Sequence, residues 1–310
     1  MARELNHGDR SDEWTPTGLT PPARIGAWVR LVRPKQWVKN LLVAAAPFAA
    51  GTLFNIDVLV QVALGFAAFS LASSGIYAIN DARDVHGDRE HPRKRHRPVA
   101  AGVISPRDAT RGGIVLIVAG IGFAVLTTAP LFVAVLVTYL ATASAYTYWW
   151  KHYPLADVLV IAFGFLLRAL AGGALVDVRI SEWFVIVATF AALFVSAGKR
   201  FGEMRQLGEN GAAHRPSLDG YPPGFVEFIL AVSAGVTMVG YSLWAFEIGG
   251  TGGIPWLAVS IGPMVVGVLR YAQLVYRGEG GAPETLLFRD RPLQAIGLLW
   301  IIVLMLGFYA

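Results

Sequence analysis

Leu71-Ala72-Ser73-Ser74-Gly75-Ile76-Tyr77-Ala78-Ile79-Asn80-Asp81-Ala82-Arg83-Asp84-Val85-His86-Gly87-Asp88 decides the fold of this chain and points to its chemistry. The first half closes an apolar stretch, 57–80, that is long enough to cross a bilayer. The second half sets Asp81, Asp84 and Asp88 at spacings of three and four. On a continuing helix Tyr77, Asp81, Asp84 and Asp88 share one face, because steps of four, three and four follow the helical repeat. Carboxylates this close repel one another unless a cation lies between them. The next residues, His91-Pro92-Arg93-Lys94-Arg95-His96-Arg97-Pro98, add a dense cationic run. Metal-binding acids beside a basic cluster at a membrane surface point to Mg²⁺ holding a polyphosphate.

Outward from this segment, the chain reads as a membrane protein. Hydrophobic residues make up 55% of the 310 and charged residues only 15%, and mean hydropathy is +0.53, far from a soluble composition. Nine stretches approach bilayer length, about 37–53, 57–80, 110–128, 130–148, 155–176, 182–199, 224–246, 254–275 and 292–309. They leave no room for a separate soluble domain, so the expectation is an all-α, nine-helix transmembrane bundle over residues 25–310. Residues 1–24 are polar and lack the apolar core of a signal peptide. They are expected to form a disordered cytoplasmic tail.

Charge asymmetry orients the bundle. With the N-terminus inside, the tail, the loops after spans two, four, six and eight, and their flanks hold 24 of the 26 Lys and Arg residues. Arg179 alone lies on the opposite face, and Arg168 lies within a span. This follows the positive-inside rule and predicts a strongly basic cytoplasmic face on a plasma (inner) membrane protein. Nucleic acid is a poor partner for basic residues divided among membrane loops, and some of them will anchor to anionic lipid. The absence of cysteine excludes disulfides, thiolate catalysis and Cys-ligated metals.

The remaining chemistry-bearing residues fall on the same side. Arg33-Pro34-Lys35-Gln36-Trp37-Val38-Lys39-Asn40 enters the first span. Arg33 and Lys35 serve equally well as interfacial anchors, whereas Lys39 and Asn40 lie deeper, where polarity costs more. Tyr146-Thr147-Tyr148-Trp149-Trp150-Lys151-His152 precedes Asp157. An aromatic belt accounts for Trp149 and Trp150; Lys151 and Asp157 are the better site candidates. Arg168 lies eleven residues beyond Asp157 on the same helix face, and an arginine that deep should face a polar cavity or a partner. At the end of span six, Lys199 and Glu203 stand four apart and could pair along the helix. Yet Ala197, Gly198 and Gly202 leave space for a ligand beside Lys199 and Arg200. Arg289-Asp290-Arg291 reads as a headgroup cluster, and His86, His91, His96 and His152 lack ligand spacing.

Asn80-Asp81-x-x-Asp84-x-x-x-Asp88, followed by Arg97-Pro98-Val99-Ala100-Ala101-Gly102, resembles the first signature of the UbiA-type intramembrane transferases. The resemblance extends over essentially everything after residue 25 and implies a nine-helix bundle whose cytoplasmic mouth binds a Mg²⁺-complexed diphosphate. Residues 33–40, Asp88-Arg89-Glu90-His91-Pro92, Lys94-Arg95, Leu167-Arg168-Ala169-Leu170-Ala171-Gly172-Gly173 and Gly198-Lys199-Arg200 resemble one branch more narrowly. That branch moves phosphoribose from phosphoribosyl pyrophosphate onto a polyprenyl phosphate, on the route to cell-wall arabinan. Members that use prenyl diphosphates carry a second aspartate-rich motif after span six, where this chain has Gly198-Lys199-Arg200-Phe201-Gly202-Glu203. Cations there suit a bare phosphate. The superfamily's Tyr-x-x-x-Lys is one residue longer here, from Tyr146 to Lys151.

The resemblance implies Mg²⁺ on Asp81, Asp84 and Asp88, with Lys199 joining them in catalysis. It implies substrate contacts from Lys39, Asn40, Asn80, Arg83, Arg89, Lys94, Arg95 and Arg97, and from Tyr146, Lys151, Asp157, Arg168, Arg200 and Glu203. Its isoprenoid substrate would lie in an apolar groove open to membrane lipid. A prenyltransferase acting on a prenyl diphosphate and an aromatic acceptor is the alternative, and a transporter or lipid-binding protein would not need the three-acid face. Lipid chain length and the number of Mg²⁺ ions are open at this level, and so is the choice between monomer and homo-oligomer.

Overall fold

The computed structural model describes residues 21–92, 94–207, 220–248 and 254–309, and all regular structure among them is helical. Residues 1–20 of the expected tail lie outside the described residues, and the chain is already helical from Pro21. Helix α1, Pro21–Val32, is amphipathic. Ala27 and Leu31 face the core while Ile25 and Val29 are exposed. Arg33, in the left-handed region (φ 54°), turns the chain into Pro34.

The expected first span differs from a plain α-helix. Pro34–Ala44 is a 3-10 helix, followed by the short α2, Ala45–Ala49, and a turn through Gly51. At ~2.0 Å per residue in the 3-10 part and ~1.5 Å in the α part, the segment still covers roughly 30 Å, about one hydrocarbon thickness. Pro47 has no N–H to offer Val43. The Val43 carbonyl lies instead against Gly172, where any Cβ would collide with it.

Eight helical segments among the described residues are long and apolar enough to cross a membrane. They are α3 (Ile56–Arg83), α5 (Pro106–Leu126), α6 (Pro130–Tyr148), α7 (Pro154–Val176), α8 (Glu182–Leu207), α9 (Phe225–Ile248), the pair α10 (Trp256–Val259) and α11 (Ile261–Tyr276), and α13 (Arg291–Tyr309). Short α4 (Val85–Glu90) and α12 (Pro283–Arg289) lie between spans. Entry to the long helices follows local chemistry. Asn55 caps α3 by accepting from the Asp57 amide at 2.9 Å, Ser105 caps α5 through the Asp108 amide at 3.0 Å, and prolines open α6 and α7.

Helices α3 and α5 touch backbone to backbone. A Cβ on Gly75 would come within 2.5 Å of the Gly113 carbonyl, and one on Gly120 within 2.8 Å of the Ala68 carbonyl. Small residues permit this approach where lipid offers no hydrophobic drive to association. One core centres on Phe69, Phe132, Leu136 and Tyr139, and another on Phe194, Phe201, Leu230 and Val275. Cross-helix polar contacts gather the ends of α3, α6 and α8, the start of α7, Arg33 and α12 at one end of the bundle.

Candidate functional site

The signature segment bends where a straight helix was expected. Backbone bonds Asp84 N to Asn80 O (2.9 Å) and Asp88 N to Asp84 O (2.8 Å) persist, but Asp84 itself has φ −87° and ψ 11° and separates α3 from α4. The bend splits the acidic stripe. Asp81 is 2% exposed and accepts from Arg33 Nη2 at 2.5 Å and Arg97 Nη1 at 3.0 Å. Asp88 accepts from the same Arg97 nitrogen at 2.7 Å and lies 3.9 Å from Lys94 Nζ. Asp84 turns away to Lys151 Nζ at 2.8 Å. Burial pushes the Asp88 carboxyl up, against the pull of Arg97 and Lys94.

Arg97 Nη1 thus occupies one cationic position shared by Asp81 and Asp88. Among the described residues no three His, Cys, Asp or Glu side chains converge as a metal-binding group. Of the expected three-aspartate set, Asp81 and Asp88 share the Arg97 cation, while the bend carries Asp84 to Lys151. Asp81 and Asp88 are the pair that could hold a divalent ion. Mg²⁺ is commonly bound by one or two carboxylates with substrate phosphates and water completing the shell, and this donor set fits that habit.

A second polar group lies where the 3-10 segment meets α12. Lys39 Nζ donates to Gln36 Oε1 at 2.5 Å and stands 3.2 Å from Glu284 Oε2, while Gln36 Nε2 donates to Glu284 Oε1. Burial alone would raise the Glu284 carboxyl, but the Lys39 charge, the Gln36 amide and the nearby Lys199 charge hold it below the usual range. Lys199 is half-buried. Glu284, Gln36 and Arg33 are participants that sequence reasoning did not place in the site. Arg33 also stacks over Tyr77 at 4.9 Å. Nothing in their spacing marks Glu284 or Gln36; both are brought in by tertiary packing.

Asp157 and Arg200 form a sealed pair, each 0% exposed. Arg200 Nε is 2.5 Å from Asp157 Oδ2 and Nη2 is 2.9 Å from Oδ1. Nη1 engages Glu203 one turn on. Tyr146 donates to Asp157 at 2.6 Å. Arg200, Glu203, Asp157 and Tyr146, all expected at the site, bind one another here and lock α6, α7 and α8 together.

Arg168 takes the partner option. Its Nε donates to Asn40 Oδ1 at 2.7 Å, Nη1 to the Gly164 carbonyl at 2.6 Å and Nη2 to Tyr139 at 2.9 Å. Asn40 in turn donates to Ser70 at 3.0 Å. Asn40 and Arg168 are both buried, and their polar atoms meet one another and their neighbours. Arg168→Met should lower the midpoint of thermal unfolding in detergent while leaving activity per folded molecule within a few-fold; a large activity loss at unchanged midpoint would return Arg168 to the site.

Three expected contact residues are not brought together with the acids. Arg83 is exposed and stacks over Tyr148 at 4.0 Å, Arg89 donates to the Ala100 carbonyl at 3.3 Å, and Arg95 turns to His96 at 3.4 Å. Arg83 and Arg89 stand one or two residues from the acidic face, which points them elsewhere on the helix surface, and Arg95 lies in a separate 3-10 turn, Lys94–His96. Asn80 is half-buried, one position before Asp81. Trp149 and Trp150 are exposed, as a belt requires, and Asp290 chelates Arg270 at 2.6 and 3.1 Å.

The profile of the UbiA prenyltransferase family matches residues 41–290. A decaprenyl-phosphate phosphoribosyltransferase from Mycobacterium tuberculosis is 43% identical over 286 residues, covering 91% of this chain and 94% of the relative. One of the same name from Corynebacterium glutamicum is 39% identical over 295 residues, covering 93% and 89%. Among solved structures, a UbiA homologue from Archaeoglobus fulgidus bound to GPP and Mg²⁺ superposes with a TM-score of 0.67 at 19% identity, covering 92% of this chain and 100% of that one.

Proposed function

This chain belongs to the UbiA prenyltransferase family, and on that premise we propose that it transfers 5-phosphoribose from phosphoribosyl pyrophosphate to a polyprenyl phosphate, releasing pyrophosphate. It is an integral, multi-pass membrane protein. The basic ends of its helices support a site facing the cytoplasm, and a role in supplying cell-wall arabinan precursors accords with the names of its relatives.

One observation supports the phosphoribosyl branch above others: among the described residues, the end of α8 offers no second acidic pair. Lys199 and Arg200 stand there, and Glu203, the acid of that turn, is held by Arg200. A phosphate monoester would find Lys199.

The reaction breaks the bond between ribose C1 and the pyrophosphate oxygen and forms one between C1 and a phosphate oxygen of the lipid. Asp81 and Asp88 would hold Mg²⁺, which supplies charge neutralisation to the diphosphate. Arg97, Lys94 and Lys151, paired with aspartates here, would take the oxygens of the leaving pyrophosphate. Arg33 and Arg97 fix the direction of the Asp81 carboxylate. The polyprenyl phosphate is already anionic at neutral pH, so attack requires no strong general base. Entry opposite the leaving group inverts the anomeric centre.

Purified protein is to be offered two substrate pairs with Mg²⁺: labelled phosphoribosyl pyrophosphate with decaprenyl phosphate, and a prenyl diphosphate with an aromatic acid. Label should reach the lipid extract only from the first pair. Aromatic prenylation without phosphoribosyl transfer would assign the chain to the other chemistry. Lys199→Met should raise the KM for one phosphate substrate by about ten-fold or more, as expected for loss of a charge-assisted contact; the substrate affected identifies its phosphate, and unchanged KM values would remove Lys199 from the site.

A further inference from the structure

The diphosphate end of the site uses Asp81, Asp88 and their cations, which leaves Glu284 without a task. Its side chain is 10% exposed. Oε1 accepts from Gln36, and Oε2 is buried and faces Lys39 at 3.2 Å without a directed hydrogen bond among the described residues. An ionised carboxylate is acceptor-only and has about four lone-pair sites, so capacity remains. Lys39 lies on one side, Lys199 acts on it from α8, and Tyr271 of α11 lies within electrostatic reach. The fit is close on the α8 side: a Cβ on Gly198 would stand 2.9 Å from the Tyr271 hydroxyl.

A carboxylate acceptor beside the Lys39 ammonium is complementary to a ligand that carries hydroxyl donors beside an anion. A metal-bound diphosphate has no donors to offer it, and an isoprenoid tail has neither feature. A phosphorylated pentose has both. We propose that Glu284, positioned by Gln36, is the ribose-hydroxyl acceptor of the site, with Lys39 and Lys199 holding the accompanying phosphate. This rests on the phosphoribosyl reading above and names the group that would make a pentose the preferred donor. A site built to bond a substrate hydroxyl discriminates strongly against the analogue that lacks it, because its buried polar group is then left unpaired.

The test compares phosphoribosyl pyrophosphate with its 2-deoxy and 3-deoxy analogues in wild-type protein and in Glu284→Ala and Glu284→Gln. In wild type, kcat/KM should favour the natural donor over at least one analogue. Glu284→Ala should lower kcat/KM for the natural donor about 10- to 100-fold, the range for a bond to a charged group, yet change that for the matched analogue less than two-fold. The KM for polyprenyl phosphate should stay the same. Glu284→Gln preserves volume and keeps an acceptor, so it should give the same pattern in weaker form if the alanine variant does not fold. Calorimetric binding of ribose 5-phosphate against its 2-deoxy and 3-deoxy forms to wild type should show the same preference. Equal loss with all donors is what a structural latch between α12 and the 3-10 segment would give, and it would overturn the proposal alone. Wild-type protein that transfers nothing from phosphoribosyl pyrophosphate would overturn the phosphoribosyl reading itself.

Discussion

Asp81→Asn is expected to lower turnover by at least about a hundred-fold while the protein still folds, since the change keeps volume and removes an anionic ligand and its charge from the centre of the site. Asp81 is the most enclosed of the three signature aspartates and the one that two guanidinium groups share. Asp88→Asn should approach the same loss, because Asp88 shares Arg97 with Asp81. Asp84→Asn should be milder, since Asp84 is turned to Lys151 and stands outside the pair. Chelation should reproduce the Asp81→Asn deficit in wild type, and added Mg²⁺ should restore only the unmutated protein. Steady-state rates on detergent-purified variants of matched unfolding midpoint decide the order; near-normal turnover of Asp81→Asn would remove the diphosphate from this end of the bundle.

Arg200→Met should destabilise the bundle by about 3–5 kcal/mol, the range for breaking a buried ion pair by removing one partner. Both Arg200 and Asp157 are fully enclosed, and the pair with Tyr146 and Glu203 ties three helices together. Replacing both partners with apolar residues, Asp157→Leu with Arg200→Met, should recover much of that loss, since well-packed apolar groups can substitute for a buried pair. Denaturation in detergent micelles reads both effects. A substrate-binding arginine would behave oppositely, with unchanged stability and a raised KM.

Helical class, eight of the nine expected spans and the acidic signature were legible in the sequence because each is local: composition, run length and a three-four spacing carry them. What escaped was set by other parts of the chain. The bend at Asp84 depends on one residue's dihedrals and on Lys151 being close enough to take its carboxylate. Arg168 was expected to face a polar cavity or a partner at its depth, and its contacts with Asn40 and Tyr139 depend on how α6, α7 and the 3-10 segment pack. Lys199 and Arg200 are neighbours in sequence, yet the helix points Arg200 into a sealed pair and leaves Lys199 beside α12. Glu284 lies 248 residues from Gln36, its hydrogen-bonding partner, and no local pattern joins them.

Phosphoribosyl pyrophosphate carrying one phosphorus isotope on the 5-phosphate and another on the terminal pyrophosphate phosphorus tests the central claim most directly. After incubation with decaprenyl phosphate, Mg²⁺ and the purified wild-type chain, the lipid extract should hold only the 5-phosphate label, and the aqueous phase should hold the other as pyrophosphate in equal amount. Lipid that remains unlabelled, or that carries the pyrophosphate label, would contradict transfer of phosphoribose at this site.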